Sequence, residues 1–309
     1  MDEDGLHPQA ATVVRRQNRF RKLLPTRSVR GLRLVTRLGA WIRNRDPLSI
    51  SRVFDRTIPG PDGDLRIRIY RPEGTGPFPT VVYFHGGGFV SGSIESHDAV
   101  CRHLAHESGC VVVSVDYRLA PEHPFPAAAE DAIAAVEWAA EHTDYLGGDG
   151  SLAVVGDSAG GNLAAVVALA ARDRGSPEID FQVLIYPGIG TDPEQASVRE
   201  NDGIVLSQED LEWFSECYYG GEIHRRNPYA DPAEACDLSG VAPATVLTAE
   251  FDPLRDGGVA YAEKLSTDGV DVRHVHYDDM IHGFISMTDT IDRATEAIAD
   301  VAGDLRNDR

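Results

Sequence analysis

The sequence predicts an α/β fold, a mostly parallel central sheet of about eight strands covered by helices. Short apolar runs typical of buried strands alternate with longer helical patterns over most of the 309 residues. This alternation favours parallel strands with helices on both faces of the sheet. The first two strand patterns flank a Gly-Pro-Asp-Gly turn at residues 60–63, which predicts an antiparallel hairpin.

The predicted elements follow in a regular order. Strands are expected near residues 52–58, 65–70, 79–84, 111–115, 152–156, 181–186, 244–249 and 270–277. Helices are expected near residues 97–108, 127–142, 158–173, 208–219, 257–268 and 288–302. Two segments lie outside the alternation. Residues 1–48 are rich in arginine and have helical spacing from Leu32 to Ile42, and residues 188–240 interrupt the sheet. We therefore divide the chain into an N-terminal segment, residues 1–48, and a main domain, residues 49–309, with an insertion at about 188–240.

The turn at residues 156–160 (Gly-Asp-Ser-Ala-Gly) joins an apolar strand pattern directly to a helix. A serine at the tip of such a turn is held in a strained backbone, and its glycine neighbours are needed because a Cβ atom would collide with the strand or helix. The start of the helix directs free N–H groups at an oxyanion formed there. This pattern predicts acyl transfer with Ser158 as nucleophile. Asp157 is interpreted as a carboxylate at the helix start, without a catalytic role.

Two partners for Ser158 follow in the chain. Asp252 comes directly after the strand pattern at 244–249, and His282 comes after the pattern at 270–277. A histidine can take the serine proton and return it later, and a buried carboxylate fixes the tautomer of that histidine. Asp252 could also cap the helix that follows it. The alternative candidates for the acid are Glu250, Asp256, Asp278 and Asp279.

The segment at residues 85–89 (His-Gly-Gly-Gly-Phe) follows the buried strand pattern at 79–84. Glycines after a strand let bare N–H groups approach a substrate oxygen. The sequence predicts an oxyanion hole made by the N–H groups of Gly86, Gly87 and Ala159, each worth about 3 kcal/mol in the transition state. His85 is expected to brace this loop by hydrogen bonding.

These motifs resemble the hormone-sensitive-lipase-like (family IV) carboxylesterases of the α/β-hydrolase superfamily. The matching segments are residues 85–88 (His-Gly-Gly-Gly), 116–122 (Asp-Tyr-Arg-Leu-Ala-Pro-Glu), 156–162 (Gly-Asp-Ser-Ala-Gly-Gly-Asn), 252–254 (Asp-Pro-Leu) and 282–284 (His-Gly-Phe). The resemblance covers roughly residues 50–309. It implies a carboxylic ester hydrolase without metal or other cofactor, which acts on short- to medium-chain acyl esters through an acyl-enzyme on Ser158. It also implies that the N-terminal segment and the insertion form a helical cap over the active site.

Aromatic and aliphatic residues near the predicted site are candidates for the substrate pocket. The six predicted pocket residues are Phe89, Tyr186, Leu206, Phe214, Ile281 and Phe284. An aromatic-rich helix inserted at the catalytic edge of the sheet can wall a pocket and exclude water. The alternative is that the aromatic residues of the insertion only attach it to the core.

Other polar clusters receive structural interpretations. A metal site among residues 274–282 would need a third ligand that the spacing does not specify, so we predict no metal. The histidines His97, His103 and His106 are expected on a solvated helix face. Arg118 is expected to form a buried pair with Asp116 or Glu122.

Composition limits the partners. The net charge is −20, with 49 acidic residues against 29 basic ones, and all but two of the basic residues are arginine. This combination predicts adaptation to a saline cytoplasm, the alternative being an ordinary acidic enzyme, and it excludes a nucleic-acid partner. No apolar run approaches the roughly 20 residues that span a membrane, and the N-terminus lacks a signal-peptide pattern. We therefore expect a cytoplasmic enzyme with a small-molecule ester substrate, no membrane partner and a possible homodimer.

Two other functions are compatible with these motifs. An amidase or deacetylase could use the same three residues. A non-catalytic small-molecule-binding protein could use the same fold, as in the plant gibberellin receptors, which resemble this family but lack the catalytic histidine. The presence of His282 favours an enzyme over a binding protein.

Overall fold

A computed structural model of the protein describes residues 5–21 and 28–307. A single eight-stranded sheet forms its centre, in the spatial order β1-β2-β4-β3-β5-β6-β7-β8. The strands are β1 (Arg52–Gly60), β2 (Gly63–Arg71), β3 (Phe78–Phe84), β4 (Val111–Val115), β5 (Gly148–Asp157), β6 (Phe181–Ile185), β7 (Ala244–Phe251) and β8 (Val272–Ile281). Each strand predicted from the sequence is present.

The strand directions confirm a mostly parallel sheet. Strands β1 and β2 form an antiparallel hairpin that closes where Gly60 pairs with Gly63. Strand β2 pairs antiparallel with β4, and the neighbouring pairs from β4 to β8 are parallel. Because parallel strands end at the same edge, the loops after β3, β5, β7 and β8 meet there. These loops carry the predicted catalytic and oxyanion residues.

Helices cover both faces of the sheet. They are α1 (Pro8–Arg21), α2 (Val29–Arg43), α3 (Asp98–Ser108), α4 (Ala127–Glu141), α5 (Thr143–Leu146), α6 (Ala159–Arg174), α7 (Ala196–Glu200), α8 (Gln208–Tyr219), α9 (Arg255–Thr267) and α10 (Asp292–Asn307). Buried residues of α4, α6 and α9 form one apolar cluster with the sheet, and those of α1, α3 and α10 form the other. The predicted α/β fold with helical layers is therefore confirmed.

The two segments outside the alternation both contain helices. The N-terminal segment contains α2, as its spacing predicts, and also α1, which the sequence argument did not predict. Helix α1 lies against the C-terminal part of the chain, where the N–H of His7 donates to the carbonyl of Asp279 at 3.0 Å. The insertion contains α7 and α8. Helix α8 begins with a capping box, in which Ser207 and Asp210 exchange side-chain to backbone hydrogen bonds.

The helices within residues 5–21 and 28–307 are either too short or too polar to cross a lipid bilayer.

Candidate active site

Ser158 lies at the tip of the turn between β5 and α6. Its backbone has a φ of 56° and a ψ of −118°, a conformation that non-glycine residues rarely adopt. The turn is so tight that a Cβ atom on Gly156 would lie 2.1 Å from the carbonyl oxygen of Gly160. A Cβ atom on Gly160 would lie 1.9 Å from the carbonyl oxygen of Phe84. The two flanking glycines are therefore steric requirements of the turn that projects Ser158.

His282 connects Ser158 to Asp252 through two hydrogen bonds. Its Nε2 atom lies 2.9 Å from Ser158 Oγ, and its Nδ1 atom lies 2.7 Å from Asp252 Oδ2. Asp252 is fully buried, and it accepts a further hydrogen bond from the N–H of Leu254 at its other oxygen, Oδ1. Because an ionised carboxylate only accepts, Nδ1 carries a proton and Nε2 can take the proton of Ser158. The carboxylate thus orients His282 and also accepts a hydrogen bond from the backbone two residues on. The alternative role as N-cap of the following helix is wrong, because Leu254 occupies that position and the cap has no side-chain hydrogen bond.

Three of the four alternative acids, Glu250, Asp256 and Asp279, have other partners. Glu250 pairs with Arg255 and lies 3.0 Å from His276 Nε2, and Asp256 also pairs with Arg255. Asp279 lies 3.6 Å from Arg293. Among the candidate acids in the described part of the chain, Asp252 is the one that hydrogen-bonds to His282.

The glycine loop after β3 lies beside Ser158, and one predicted donor is engaged elsewhere. The N–H of Gly86 donates to Asp157 Oδ1 at 2.9 Å, so the assignment of Gly86 to an oxyanion hole needs correction. A Cβ atom on Gly86 would also lie 2.5 Å from Asp157 Oδ2, so this position requires glycine. Within the described residues, no acceptor takes the N–H of Gly87, Gly88 or Ala159. All three line the same cavity as Ser158.

A cavity of about 530 Å³ opens at Ser158 and His282. Three of the six predicted pocket residues, Phe89, Leu206 and Phe214, line it. Tyr186, Ile281 and Phe284 do not, which corrects that part of the prediction. They are fully buried at the ends of β6 and β8 and belong to an apolar core cluster. The Tyr186 ring packs against the His282 ring, with centroids 4.8 Å apart, so it supports the histidine from behind.

Both segments outside the sheet contribute to the cavity wall. Helix α2 supplies Leu32, Thr36 and Arg43, and α8 supplies Leu211 and other residues around Phe214. The sequence argument did not single out Leu32 or Leu211 as pocket residues. Their apolar positions at helical spacing were the available signal, but the same spacing also fits a helix that only packs on the core.

Comparisons with known proteins identify the family of the chain. A family model of the α/β-hydrolase fold matches residues 81–286. The chain is 47% identical over 254 residues to the esterase LipI of Mycobacterium tuberculosis, covering 80% of this chain and 79% of LipI. It is 39% identical over 263 residues to an ethyl acetate hydrolase of Pseudomonas putida, covering 82% of each protein. The solved structure of a hyperthermophilic esterase from the archaeon Pyrobaculum calidifontis has a TM-score of 0.92 and 44% identity, over 97% of this chain and 98% of that one.

The chain belongs to the hormone-sensitive-lipase-like (family IV) carboxylesterases of the α/β-hydrolase superfamily. It is an enzyme of the carboxylic ester hydrolase class. The resemblance inferred from the motifs is confirmed.

A buried carboxylate supports the glycine loop of this family IV enzyme. Asp157 accepts hydrogen bonds from Tyr83 Oη at 2.7 Å and from the N–H of Gly86, and its Oδ2 lies 3.3 Å from His97 Nε2. Burial alone would raise the pKa of Asp157, but the charge interaction with His97 and the hydrogen bonds from His97 and Tyr83 lower it. Asp157 therefore holds the loop, a role that the sequence argument missed.

The histidines differ from the predicted solvated face. His97 is buried against Asp157, which contradicts that prediction, whereas His106 is exposed and His103 is half-buried. Helix α3 begins one residue after His97, so His97 does not belong to a face of that helix. No local pattern indicates that His97 and Asp157, 60 positions apart, are in contact.

His85 lies within the loop as a brace. Its ring stacks on the ring of Tyr117 at 4.3 Å between centroids, and Tyr117 Oη donates to the carbonyl of His85 at 2.6 Å. Burial lowers the pKa of His85 to about 3, and neighbouring His97 acts in the same direction. His85 is therefore neutral at the pH of catalysis.

The ion pairs of Arg118 also differ from the prediction. Arg118 pairs with buried Asp131 at 2.9 Å rather than with Asp116 or Glu122. Glu122 pairs instead with Arg33 of α2 at 2.7 Å. The acid that neutralises Arg118 lies on α4, which local sequence could not indicate.

The two histidines of β8 are within hydrogen-bond distance of a threonine hydroxyl group. His274 Nε2 and His276 Nδ1 lie 2.8 Å and 2.9 Å from Thr248 Oγ1. Residues 5–21 and 28–307 contain no group of three or more His, Cys, Asp or Glu side chains arranged to hold a metal ion.

Proposed function

We propose that the protein hydrolyses carboxylic esters through an acyl-enzyme on Ser158. The observation that carries this proposal is the continuous hydrogen-bonded chain from Ser158 through His282 to buried Asp252. His282 takes the proton of Ser158 as its Oγ atom attacks the ester carbonyl. The alcohol then leaves with the proton from His282. Water attacks the acyl-enzyme by the same route and releases the acid.

The negative charge on the tetrahedral intermediate needs hydrogen-bond donors that are free beforehand. The N–H groups of Gly87, Gly88 and Ala159 meet this condition, and Gly86 does not because it donates to Asp157. Three such donors on residues that line the cavity need little reorganisation as the charge develops. We therefore assign the oxyanion hole to Gly87, Gly88 and Ala159.

Short- to medium-chain acyl esters suit the cavity. Its volume of about 530 Å³ is at the lower end of the range for small-molecule sites, and its lining is mainly apolar. Phe89 and Phe214 face this space together with Leu206, so they can bury an acyl chain. The cap segments, residues 1–48 and the insertion at about 188–240, contribute α2 and α8 to this wall. Their proposed role is to exclude water from the acyl-enzyme.

The test is hydrolysis of p-nitrophenyl esters from acetate to dodecanoate in ~2–3 M KCl, where surface charge is screened. We expect activity to peak at short to medium chains and to vanish in Ser158→Ala. The control is Ser151→Ala, a serine on the same strand far from the turn, which should keep full activity. A folded Ser158→Ala protein with the wild-type rate would refute the nucleophile. A peak at dodecanoate would refute the chain-length assignment alone.

A further inference from the structure

Helix α2 exposes an unusual apolar face. Its exposed apolar side chains are Leu34, Val35, Leu38, Trp41 and Ile42, each at least half exposed to solvent. Their spacing places them along one side of the helix. Outside α2, the large apolar side chains exposed among the described residues are Tyr145 and Ile223. We call the five side chains of α2 its outward face.

The opposite side of α2 is the one that attaches to the enzyme. Arg33 donates to the carbonyls of Val90 and Ala120 at 2.8 Å and 2.9 Å and also pairs with Glu122. Asn44, at the C-terminal end, donates to the carbonyl of Glu95 at 2.8 Å. These polar contacts fix the helix while its most apolar residues remain in water. Because the helix is held by its other side, the exposure of the outward face does not result from a missing contact with the core.

The sequence segment that contains this face is basic, whereas the whole chain is acidic. Residues 5–45 carry eleven of the 29 basic residues and no Asp or Glu, although the net charge is −20. On α2 and just beyond it, Arg30, Arg37 and Arg45 are exposed beside the apolar side chains. The guanidinium of Arg45 stacks over Trp41 at 4.1 Å. An apolar stripe that contains Trp and is flanked by arginine is typical of helices that lie in a lipid interface.

A second copy of the chain fits this face poorly. A two-fold interface pairs a patch with itself, so Arg30, Arg37 and Arg45 would face the same cations of the other copy. A head-to-tail contact needs an apolar acceptor elsewhere, and Tyr145 and Ile223 alone do not form one among the described residues. An anionic surface with an apolar layer beneath it satisfies both the arginines and the apolar side chains.

We propose that the outward face of α2 binds an anionic lipid surface. The helix would lie in the plane of the interface, with the apolar side chains at the acyl boundary and the arginines at the headgroups. The other side of α2 lines the active-site cavity through Leu32 and Thr36. Lipid binding would thus hold the cavity next to an apolar phase from which sparingly soluble esters partition. The sequence argument against a membrane partner considered spanning segments, which a surface helix does not require.

The test is flotation of the full chain with vesicles of phosphatidylglycerol and phosphatidylcholine, compared with phosphatidylcholine alone. KCl is kept at the lowest concentration at which the protein stays folded. We expect binding to the anionic vesicles, and a fall of about tenfold or more in the partition coefficient for Leu38→Ser/Trp41→Ser. Ile223→Ser is the matched control, because Ile223 is 83% exposed but lies away from α2, and it should bind like the wild type.

Several results would overturn the proposal. Wild-type protein that does not float, or that floats equally with the double variant, removes the role of α2. Equal binding to phosphatidylcholine alone removes the anionic requirement. The wild type could instead fail to float and form a concentration-dependent dimer that the double substitution abolishes. That result would assign the face to a second copy of the chain. Far-UV circular dichroism checks that the variants are folded, so the result does not depend on esterase activity.

Discussion

At the scale of single residues, buried His85 makes the free energy of unfolding depend on pH. The pKa of His85 is about 3 in the folded protein, because of burial, against about 6.5 for an exposed histidine. Between these values the unfolded chain binds a proton that the folded protein does not. The free energy of unfolding therefore falls as pH decreases from 6.5 towards 3, by up to about 1.4 kcal/mol per pH unit for this residue.

The prediction is tested by denaturant unfolding between pH 4 and 8. The variant His85→Asn cannot titrate in this range, so its stability should depend less steeply on pH, by about one proton. Protonation of Asp157, whose pKa is lowered in the folded state, also reduces stability as pH falls. The larger causes of that lowering, His97 and Tyr83, remain in the variant, whereas the smaller one from His85 is lost. The comparison thus isolates His85. Parallel pH curves for the two proteins would contradict the prediction even if the variant is less stable throughout.

The sequence indicated the proposed reacting residues better than the residues that support them. Ser158, Asp252 and His282 each follow a strand pattern in a recognisable order, and such signals are local. Asp157 and His97 support the loop through a contact across 60 positions. Which glycine N–H groups are left free depends on where the Asp157 carboxylate lies. Neither fact is encoded in a local pattern. The motif contains three glycines but does not give the orientation of their N–H groups, so it could not indicate that the N–H of Gly86 donates to Asp157.

At the scale of elements, the strands and most helices were predictable because their apolar periodicity is strong and they lie between clear turns. Helix α1 was missed because its sequence contains few apolar residues, and it is held by contacts with the C-terminal part of the chain. The position of α2 over the cavity was expected only from the family resemblance. What fixes it physically is the fork of Arg33, which reaches two carbonyl groups and one carboxylate.

Loss of the hydrogen bonds and ion pair of Arg33 should affect substrate binding at the cavity wall more than the stability of the fold. We expect Arg33→Ala to raise KM several-fold with a smaller effect on kcat, because α2 positions Leu32 and Thr36 but not the reacting groups. The free energy of unfolding should fall by only about 1 kcal/mol, since the pair with Glu122 is partly exposed. The measurements are steady-state kinetics on a short-chain p-nitrophenyl ester and denaturant unfolding.

Arg33→Lys is the control for charge. Lysine keeps the positive charge but cannot form the same planar fork, so its KM should lie between those of the wild type and Arg33→Ala. A wild-type KM in Arg33→Ala would show that the rest of α2 is sufficient to hold the wall. A large fall in kcat alone would instead mean that the loop containing Val90 transmits the change to the oxyanion hole.

At the scale of the whole molecule, two electrostatic effects of salt oppose each other. Surface ion pairs such as Arg66 with Glu95 are weakened by salt, but each contributes only about 0–1 kcal/mol. Repulsion among the acidic residues is also weakened, and 49 acidic residues against 29 basic ones leave 20 negative charges uncompensated. Because this excess is large, the stabilisation from weaker repulsion should exceed the loss from weaker ion pairs. We therefore expect salt to stabilise the protein and to raise its activity.

Screening also predicts the shape of this dependence. The Debye length falls from about 10 Å at 0.1 M to about 3 Å at 1 M, so the free energy of unfolding should rise steeply up to about 1 M KCl and more slowly beyond it. Urea unfolding at a series of KCl concentrations measures this, and NaCl at equal ionic strength should give the same curve. A strong difference between the two salts would indicate specific ion binding. A maximum of stability and activity below about 0.1 M would mean that the acidic excess serves solubility alone.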